Sequence, residues 1–426
     1  MNENIKITRF ENGLTIITEK MPDVRSATLG FWVKKGSRNE PENLNGICHF
    51  IEHAVFKGTE KRSALEIAIE SDKLGGNLNA FTSHEETGFM IKVVDNRIAQ
   101  AFDLIADMLL NPRFDEKEMR RERNVIIEEI KMVEDSPEDY LTELFLRDFF
   151  PDHPLGLPVE GTRKTVKKFK GETAAKFHRE NYAPENLLIV AAGNVSHEQI
   201  VGFAQDAFAG SFSGARKSGQ SSDVVLPRAS NPILLKTKEN LEQAHLIIAV
   251  PWIKSGDDRR FAASLLTSIL GDGNSSRLWQ NIREKRGLAY SVGANSDSFD
   301  DCGIFSIYAG TSPEKLTEVI DLSIAEMKKI KRKGVTEDEL NLAKEQTIAS
   351  ILLSLESTAA RAENLAHNEL VHARQIPVEE TLKKLEAVQT EEIKAIANEF
   401  FRTENIALAA LGNLNGLKIN REKLEV

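Results

Sequence analysis

The chain is expected to be an α+β protein of two related halves, each an antiparallel sheet packed by helices into an α/β sandwich. Three observations lead there. Along the first half, apolar segments of strand length alternate with longer segments of helical period. The halves also close alike: Glu185-Asn186, LLIVAA and Gly193-Asn194-Val195 stand 219 residues before Glu404-Asn405, IALAAL and Gly412-Asn413-Leu414. Glu172, Glu180 and Tyr182 share that offset with Glu391, Glu399 and Phe401, ahead of the common strand, which reads as a duplicated domain. Finally, 426 residues, 41% of them hydrophobic, suffice for two to four domains with cores of their own.

The elements follow in order. Strands at 5–8 and 14–18 flank Glu11-Asn12-Gly13, whose Asn-Gly pair signals a hairpin turn. A third apolar run, 27–33, ends at Lys34-Lys35-Gly36-Ser37, after which helical periodicity takes over at 44–56. Further helices are expected at 63–74, 98–110 and 116–132, with a strand-like stretch at 78–94. Residues 210–231 are rich in Gly, Ser, Lys and Arg and lack helical period, as a linker does. The expected division is an N-terminal domain at 1–212, a linker at 213–231 and a homologous C-terminal domain at 232–426.

Composition narrows the function. Lys and Arg number 55 against 65 Asp and Glu, and the net charge of -10 argues against a chain built to neutralise nucleic-acid phosphates. Cys48 and Cys302 lie too far apart in sequence for a disulfide scaffold or a cysteine-rich metal finger, so free thiols are expected. No apolar run approaches the roughly 18 residues of a membrane span, and the N-terminus lacks a signal-peptide pattern. A cytoplasmic protein without a membrane partner is expected.

The chemistry lies in His49-Phe50-Ile51-Glu52-His53, inside the helical stretch 44–56. Residues i, i+3 and i+4 share a helix face, so two imidazoles and a carboxylate converge. Two imidazoles one turn apart suit two corners of a tetrahedral Zn²⁺ site, and Glu52 can hold the attacking water as general base. This is the zincin motif in inverted order. Five residues arise by chance too often to carry a function alone, and the site needs a third ligand. In EKEMRRERNVIIEEIKMV, residues 116–133, a 100° wheel aligns Met119, Ile126, Ile130 and Val133 on one apolar stripe flanked by Glu122 and Glu129. Glu128 falls opposite, with Arg121, Asn124 and Lys131. A carboxylate beside a buried stripe is costly unless paired or metal-bound, which makes Glu129 the third ligand. Glu122, two turns earlier on the same side, is placed either to orient a ligand or to be an exposed partner of Lys or Arg.

At these residues the chain resembles the pitrilysin and insulysin group of zinc peptidases, over its whole length, and especially the short-chain, mitochondrial processing peptidase-like branch. His49 to His53 with Phe56-Lys57-Gly58-Thr59 is similar to the family's zinc helix. The segment RNVIIEEI, 123–130, is similar to the one carrying its third ligand, and its spacing favours Glu129 over Glu128. Gly75-Gly76-Asn77-Leu78-Asn79-Ala80-Phe81-Thr82 resembles the family's substrate strand, which implies that Asn79, Ala80 and Phe81 line a cleft for an extended peptide. By its residues alone an ordinary hairpin edge explains that segment equally well. His84, just beyond, reads as a surface residue, and Cys48 as a packed thiol. Arg283-Glu284-Lys285-Arg286-Gly287-Leu288-Ala289-Tyr290 resembles the Arg and Tyr pair that the family brings from its C-terminal domain to face the zinc, Arg283 and Tyr290 being suitable donors to an oxyanion. The second half has no inverted motif and reads LTSILGDGN at 266–274 instead. The resemblance implies an endopeptidase with one Zn²⁺ per chain, peptide substrates, and a homodimer closing like a clam shell. A non-catalytic structural or peptide-binding subunit of the same fold is the competing reading.

Overall fold

The computed structural model describes residues 4–76, 78–209, 226–414 and 416–426, so most of the expected linker and Asn77 lie outside the described residues. The chain forms two compact units, each built on one sheet. The first sheet holds β1 (Ile5–Arg9), β2 (Thr15–Lys20), β3 (Ser26–Val33), β4 (Leu78–Thr82), β5 (Thr87–Val94) and β6 (Leu187–Gly193), in the order β1-β2-β6-β3-β5-β4. The second holds β7 (Ile233–Thr237), β8 (Ala244–Trp252), β9 (Ala289–Ser298), β10 (Gly303–Thr311) and β11 (Ala407–Gly412), in the order β7-β11-β8-β10-β9. With β1 set aside, the two orders are the same. The sense agrees too: β2 runs parallel to β6 and β7 parallel to β11, and the remaining pairs are antiparallel. The sheets are therefore mixed and not wholly antiparallel as expected. Each parallel partner returns only after a long helical excursion, which frees it from the reversal that a short turn imposes.

Helices of the first half are α1 (Ile47–Ala54), α2 (Ala64–Lys73), α3 (Ile98–Leu110), α4 (Glu116–Asp135), α5 (Pro137–Phe149), α6 (Arg163–Val166), α7 (Gly171–Asn181) and α8 (His197–Ala207). Those of the second are α9 (Arg260–Gly271), α10 (Leu316–Lys333), α11 (Glu337–Ser354), α12 (Thr358–His372), α13 (Val378–Ala387) and α14 (Thr390–Phe400). No helix among the described residues is long and apolar enough to cross a membrane.

Local chemistry accounts for the boundaries. The hairpin turn forms where Asn-Gly predicts it, with Gly13 at φ +94 and the Asn12 side chain accepting from the Leu14 N–H. The helix expected from residue 44 begins at Ile47, because Gly46 takes φ +92 and breaks it. A Cβ there would lie 2.6 Å from the Glu160 carbonyl oxygen, so only glycine fits. The stretch 78–94 resolves into β4 and β5.

The compact units depart from the chain halves. The first comprises Met1–Met132, Leu157–Val224 and Leu353–Pro377; the second comprises Val133–Gly156, Val225–Leu352 and Val378–Val426. The exchange follows from burial. β6 is buried along its whole length and β11 likewise, so both faces of each sheet need cover. In the first unit α12 covers the second face, packing Ala362, Leu365 and Ala366 against Ile17, Trp32, Leu188 and Val190. The Thr28 and Thr358 hydroxyls hydrogen-bond at 2.8 Å, and Arg9 pairs with the buried Glu369 at 2.7 Å. In the second unit α5 does the same with Leu141, Phe145 and Phe149 against Ile247, Ala407, Ala409 and Leu411.

One buried group makes stability depend on pH. His178 of α7 hydrogen-bonds through Nε2 with the Leu109 carbonyl at 2.8 Å and stacks on Tyr182. Burial holds its imidazole down at about 4, from an ordinary 6.5. Because the folded value lies below the unfolded one, the chain keeps this stability above 6.5 and loses it as pH falls toward 4, by roughly 2 kcal/mol at pH 5. Urea unfolding should register that loss between pH 7 and 5, and His178→Gln should flatten it; an unaltered slope in the variant would place the acid sensitivity elsewhere.

Candidate metal centre

The centre is built on α1, which buries Ile47, Cys48, Phe50, Ile51 and Ala54 in the first core and leaves His49, Glu52 and His53 along the opposite side. Its first turn is held by Glu40, whose carboxylate accepts the N–H of Gly46 and the N–H of Cys48, each at 2.7 Å. The Asn45 side-chain amide donates to the Pro158 carbonyl at 2.9 Å and fixes the approach. Burial pushes the Glu40 carboxyl up to about 7, against the pull of those N–H groups toward the anion. Neither cysteine forms a disulfide, and the buried Cys48 Sγ donates to the Gly36 carbonyl, so the Cys48 thiol is packed as expected.

α4 supplies the facing wall. Met119, Glu122, Ile126 and Ile130 are buried, while Glu128 is exposed and pairs with Lys131 at 2.6 Å. Glu122 is 3% exposed and receives two donors: His53 Nδ1–H at 2.9 Å and Lys57 Nζ at 2.9 Å. Those donors hold its carboxyl below the usual carboxylate range even though burial alone would raise it. With Nδ1 donating to Glu122, the His53 Nε2 lone pair is left facing Glu129, 3.6 Å from its Oε2.

His49, His53 and Glu129 each offer an atom within 4.8 Å of the others, and among the described residues they form the one such group. The His ring centroids lie 4.5 Å apart. Among the described residues, His49 Nδ1 and Glu129 Oε2 are buried without a hydrogen-bond partner. Two neutral nitrogens and a carboxylate oxygen suit Zn²⁺, whose ligand distances of about 2.0–2.1 Å set tetrahedral donors about 3.3 Å apart. The charges fit as well. Burial, with the neighbouring His53, holds the His49 imidazole at about 4 and so neutral at physiological pH. Burial raises the Glu129 carboxyl. At His53 burial pulls downward, but the Glu122 hydrogen bond and the Glu129 and Glu52 charges outweigh it and raise the ring. Negative groups thus surround a point at which a cation is favoured.

Glu52 is buried beside this group, and its Oε2 accepts the Thr82 hydroxyl at 2.6 Å. Burial, reinforced by the Glu129 charge, raises its carboxyl. Thr82 ends β4, the edge strand of the first sheet, which among the described residues pairs with β5 alone. Along β4, Asn79 and Phe81 are exposed while Ala80 turns toward the core with Leu78, so an unpaired backbone edge runs past the site. His84 hydrogen-bonds Ser37 at 2.9 Å and stays outside the cluster. Arg283 and Tyr290 lie in the second unit, Arg283 in a π-helical turn (Trp279–Glu284) with its guanidinium 3.8 Å from the Trp279 ring and 5.1 Å from the Tyr290 ring. Tyr290 is 78% exposed.

Sequence reasoning missed Glu40, Lys57 and Thr82. Only Thr82 had a usable signal, as the polar third member of the inward row Leu78, Ala80, Thr82. The Glu40 contact yields a prediction. Glu40→Ala strips acceptors from two buried N–H groups and should lower stability by about 1–3 kcal/mol, read by urea unfolding; a variant as stable as the parent would remove Glu40 from the support of α1.

Residues 15–163 match the family described as insulinase (peptidase family M16), and residues 168–347 match the peptidase M16 inactive domain. A Streptomyces coelicolor protein named as an uncharacterized zinc protease is 38% identical over 98% of this chain and 91% of its own length. The uncharacterized zinc protease YmxG of Bacillus subtilis is 38% identical over 96% of this chain and 98% of its own. A crystal structure of a Helicobacter pylori protease shares the fold at 22% identity, with a TM-score of 0.88 over 96% of this chain and 99% of that one. With its two α+β units, its inverted motif and relatives matching nearly end to end, the chain belongs to the insulinase family, peptidase family M16.

Proposed function

We propose that the chain is a zinc-dependent endopeptidase that holds one Zn²⁺ through His49, His53 and Glu129 and hydrolyses peptides or unstructured polypeptide segments. The observation that carries this reading is the convergence of two imidazoles and a carboxylate within 4.8 Å, beside the buried carboxylate of Glu52. The names of the relatives support it. When bound, the ion supplies Lewis acidity to the scissile carbonyl and lowers the pKa of water toward about 7.

The side chains do the rest. Glu52 is the general base: it takes the proton of the attacking water and returns it to the leaving amine, and a carboxyl raised by burial suits both steps. Glu122 holds the His53 Nδ1–H and so keeps the ring in its ligating tautomer. The free edge of β4 receives an extended peptide as an added strand at Asn79, Ala80 and Phe81. Arg283 and Tyr290 serve as donors to the oxyanion and the substrate backbone, a role drawn from the family resemblance and consistent with the exposure of Tyr290.

The matching strand orders support a duplication, with 1–212 and 232–426 as homologous halves of which only the first keeps the metal motif. We further propose a cytoplasmic homodimer, since one chain carries both the metal motif and the Arg/Tyr pair; sedimentation of the purified protein as a monomer would overturn the dimer. The second reading, a non-catalytic structural or peptide-binding subunit, draws on the match of residues 168–347 to a domain described as inactive. Retention of His49, Glu52, His53 and Glu129 together weighs against it.

Metal analysis should find one zinc per chain, lost in His53→Ala, and mass spectrometry of a mixed peptide pool should find cleavage that a chelator stops. An intact pool with full zinc content would favour the second reading. Glu52→Gln should keep its zinc while kcat falls by roughly 10²- to 10⁴-fold; near-parental turnover would remove Glu52 from its role as base.

A further inference from the structure

Glu52 is a carboxylate in a buried position, and its reach toward a substrate depends on which rotamer its surroundings allow. A lone buried carboxylate can rotate about its terminal torsion, which is broad and roughly two-fold, unless something holds one oxygen. The Thr82 hydroxyl does so, donating to Oε2 at 2.6 Å, the short length of an O–H···O⁻ bond. Oε1 is then the oxygen left to serve as base.

Thr82 is itself well anchored. It pairs with Thr87 at the end of the β4–β5 ladder, and the turn beyond is closed by Ser83, whose N–H donates to the Glu86 carbonyl at 2.8 Å. Its neighbours in the inward row, Leu78 and Ala80, pack on the core. The side chain that holds the carboxylate therefore belongs to the strand whose outer edge is free.

From this we infer that Thr82 is a positioning residue for Glu52, tying the orientation of the base to the edge strand that receives the peptide. The inference rests on the peptidase reading above. The hydroxyl holds the carboxylate 30 positions earlier in sequence from a strand that the β4–β5 ladder already fixes. Thr82 touches neither substrate nor metal ligand in this role, so its loss lowers turnover and leaves binding alone.

The experiment uses the full chain loaded with zinc and a peptide shown to be cleaved by the parent. Thr82→Val keeps the β-branched shape that a strand favours and removes the hydroxyl. Its kcat should fall roughly tenfold or more, with KM and zinc content unchanged, and Thr82→Ser should restore most of the rate. Should the Val protein fail to fold, Thr82→Ala removes the same hydroxyl without adding bulk and takes its place. Parental kcat in the hydroxyl-free variant overturns the inference, as does a rise in KM at constant kcat, a loss of zinc, or a failure of Ser to rescue. A parent enzyme that cleaves nothing would sink the peptidase reading and this inference with it, whereas an active parent with an indifferent Thr82 sinks this inference alone.

Discussion

The hydrogen bond from His53 to Glu122 is the contact on which the first unit's chemistry depends, because it joins two helices whose residues lie 69 positions apart in sequence. A carboxylate as deeply buried as Glu122 is tolerable only with its charge matched, and it receives both an imidazole N–H and the Lys57 ammonium. That requirement does three things at once. It fixes the His53 tautomer, sets the distance between α1 and α4, and brings Glu129, two turns along α4, alongside the imidazoles. Glu40 anchors the other end of α1, so the helix is held at its first turn by one carboxylate and near its last by another.

The same demand for cover, applied to apolar faces, shapes the rest of the molecule. A central strand such as β6, apolar throughout, must be buried on both sides, and the helices from its own half of the chain cover one side. The other is closed by α12, which comes from the second half of the chain between β10 and β11, while α5 leaves the first half to close the second sheet. Neither core is complete until most of the chain is present. Contacts of such long sequence separation are costly in loop entropy and make folding slow and cooperative across the chain.

Electrostatically the centre favours a cation. Neutral His49, the raised carboxyls of Glu129 and Glu52, and the held anion of Glu122 surround one point, and the Lys57 ammonium is turned to Glu122. Positive charge supplied at that point relieves the burial cost of all three carboxyl groups. This is why the inverted motif is more than a coincidence of letters: the second half keeps the same strand order without it, and there the equivalent helix, α9, carries no imidazole.

What the amino-acid order settled by itself was whatever depends on neighbours along the chain. The Asn-Gly turn, the shared face of His49, Glu52 and His53, the solvent side of Glu128 against the half-buried side of Glu129, and the repeated strand all follow from local geometry and a fixed helical period. Tertiary structure alone decided which surface meets which. That Glu122 takes both of its offered roles at once, with His53 and Lys57, together with the grip of Thr82 on Glu52, the carboxylate of Glu40 on the α1 N–H groups, the parallel entry of β6 and β11, and the exchange of α5 and α12, was not legible. A hydrophobic pattern records that a face must be covered, but not by what, because burial is non-directional and any apolar face of matching shape satisfies it.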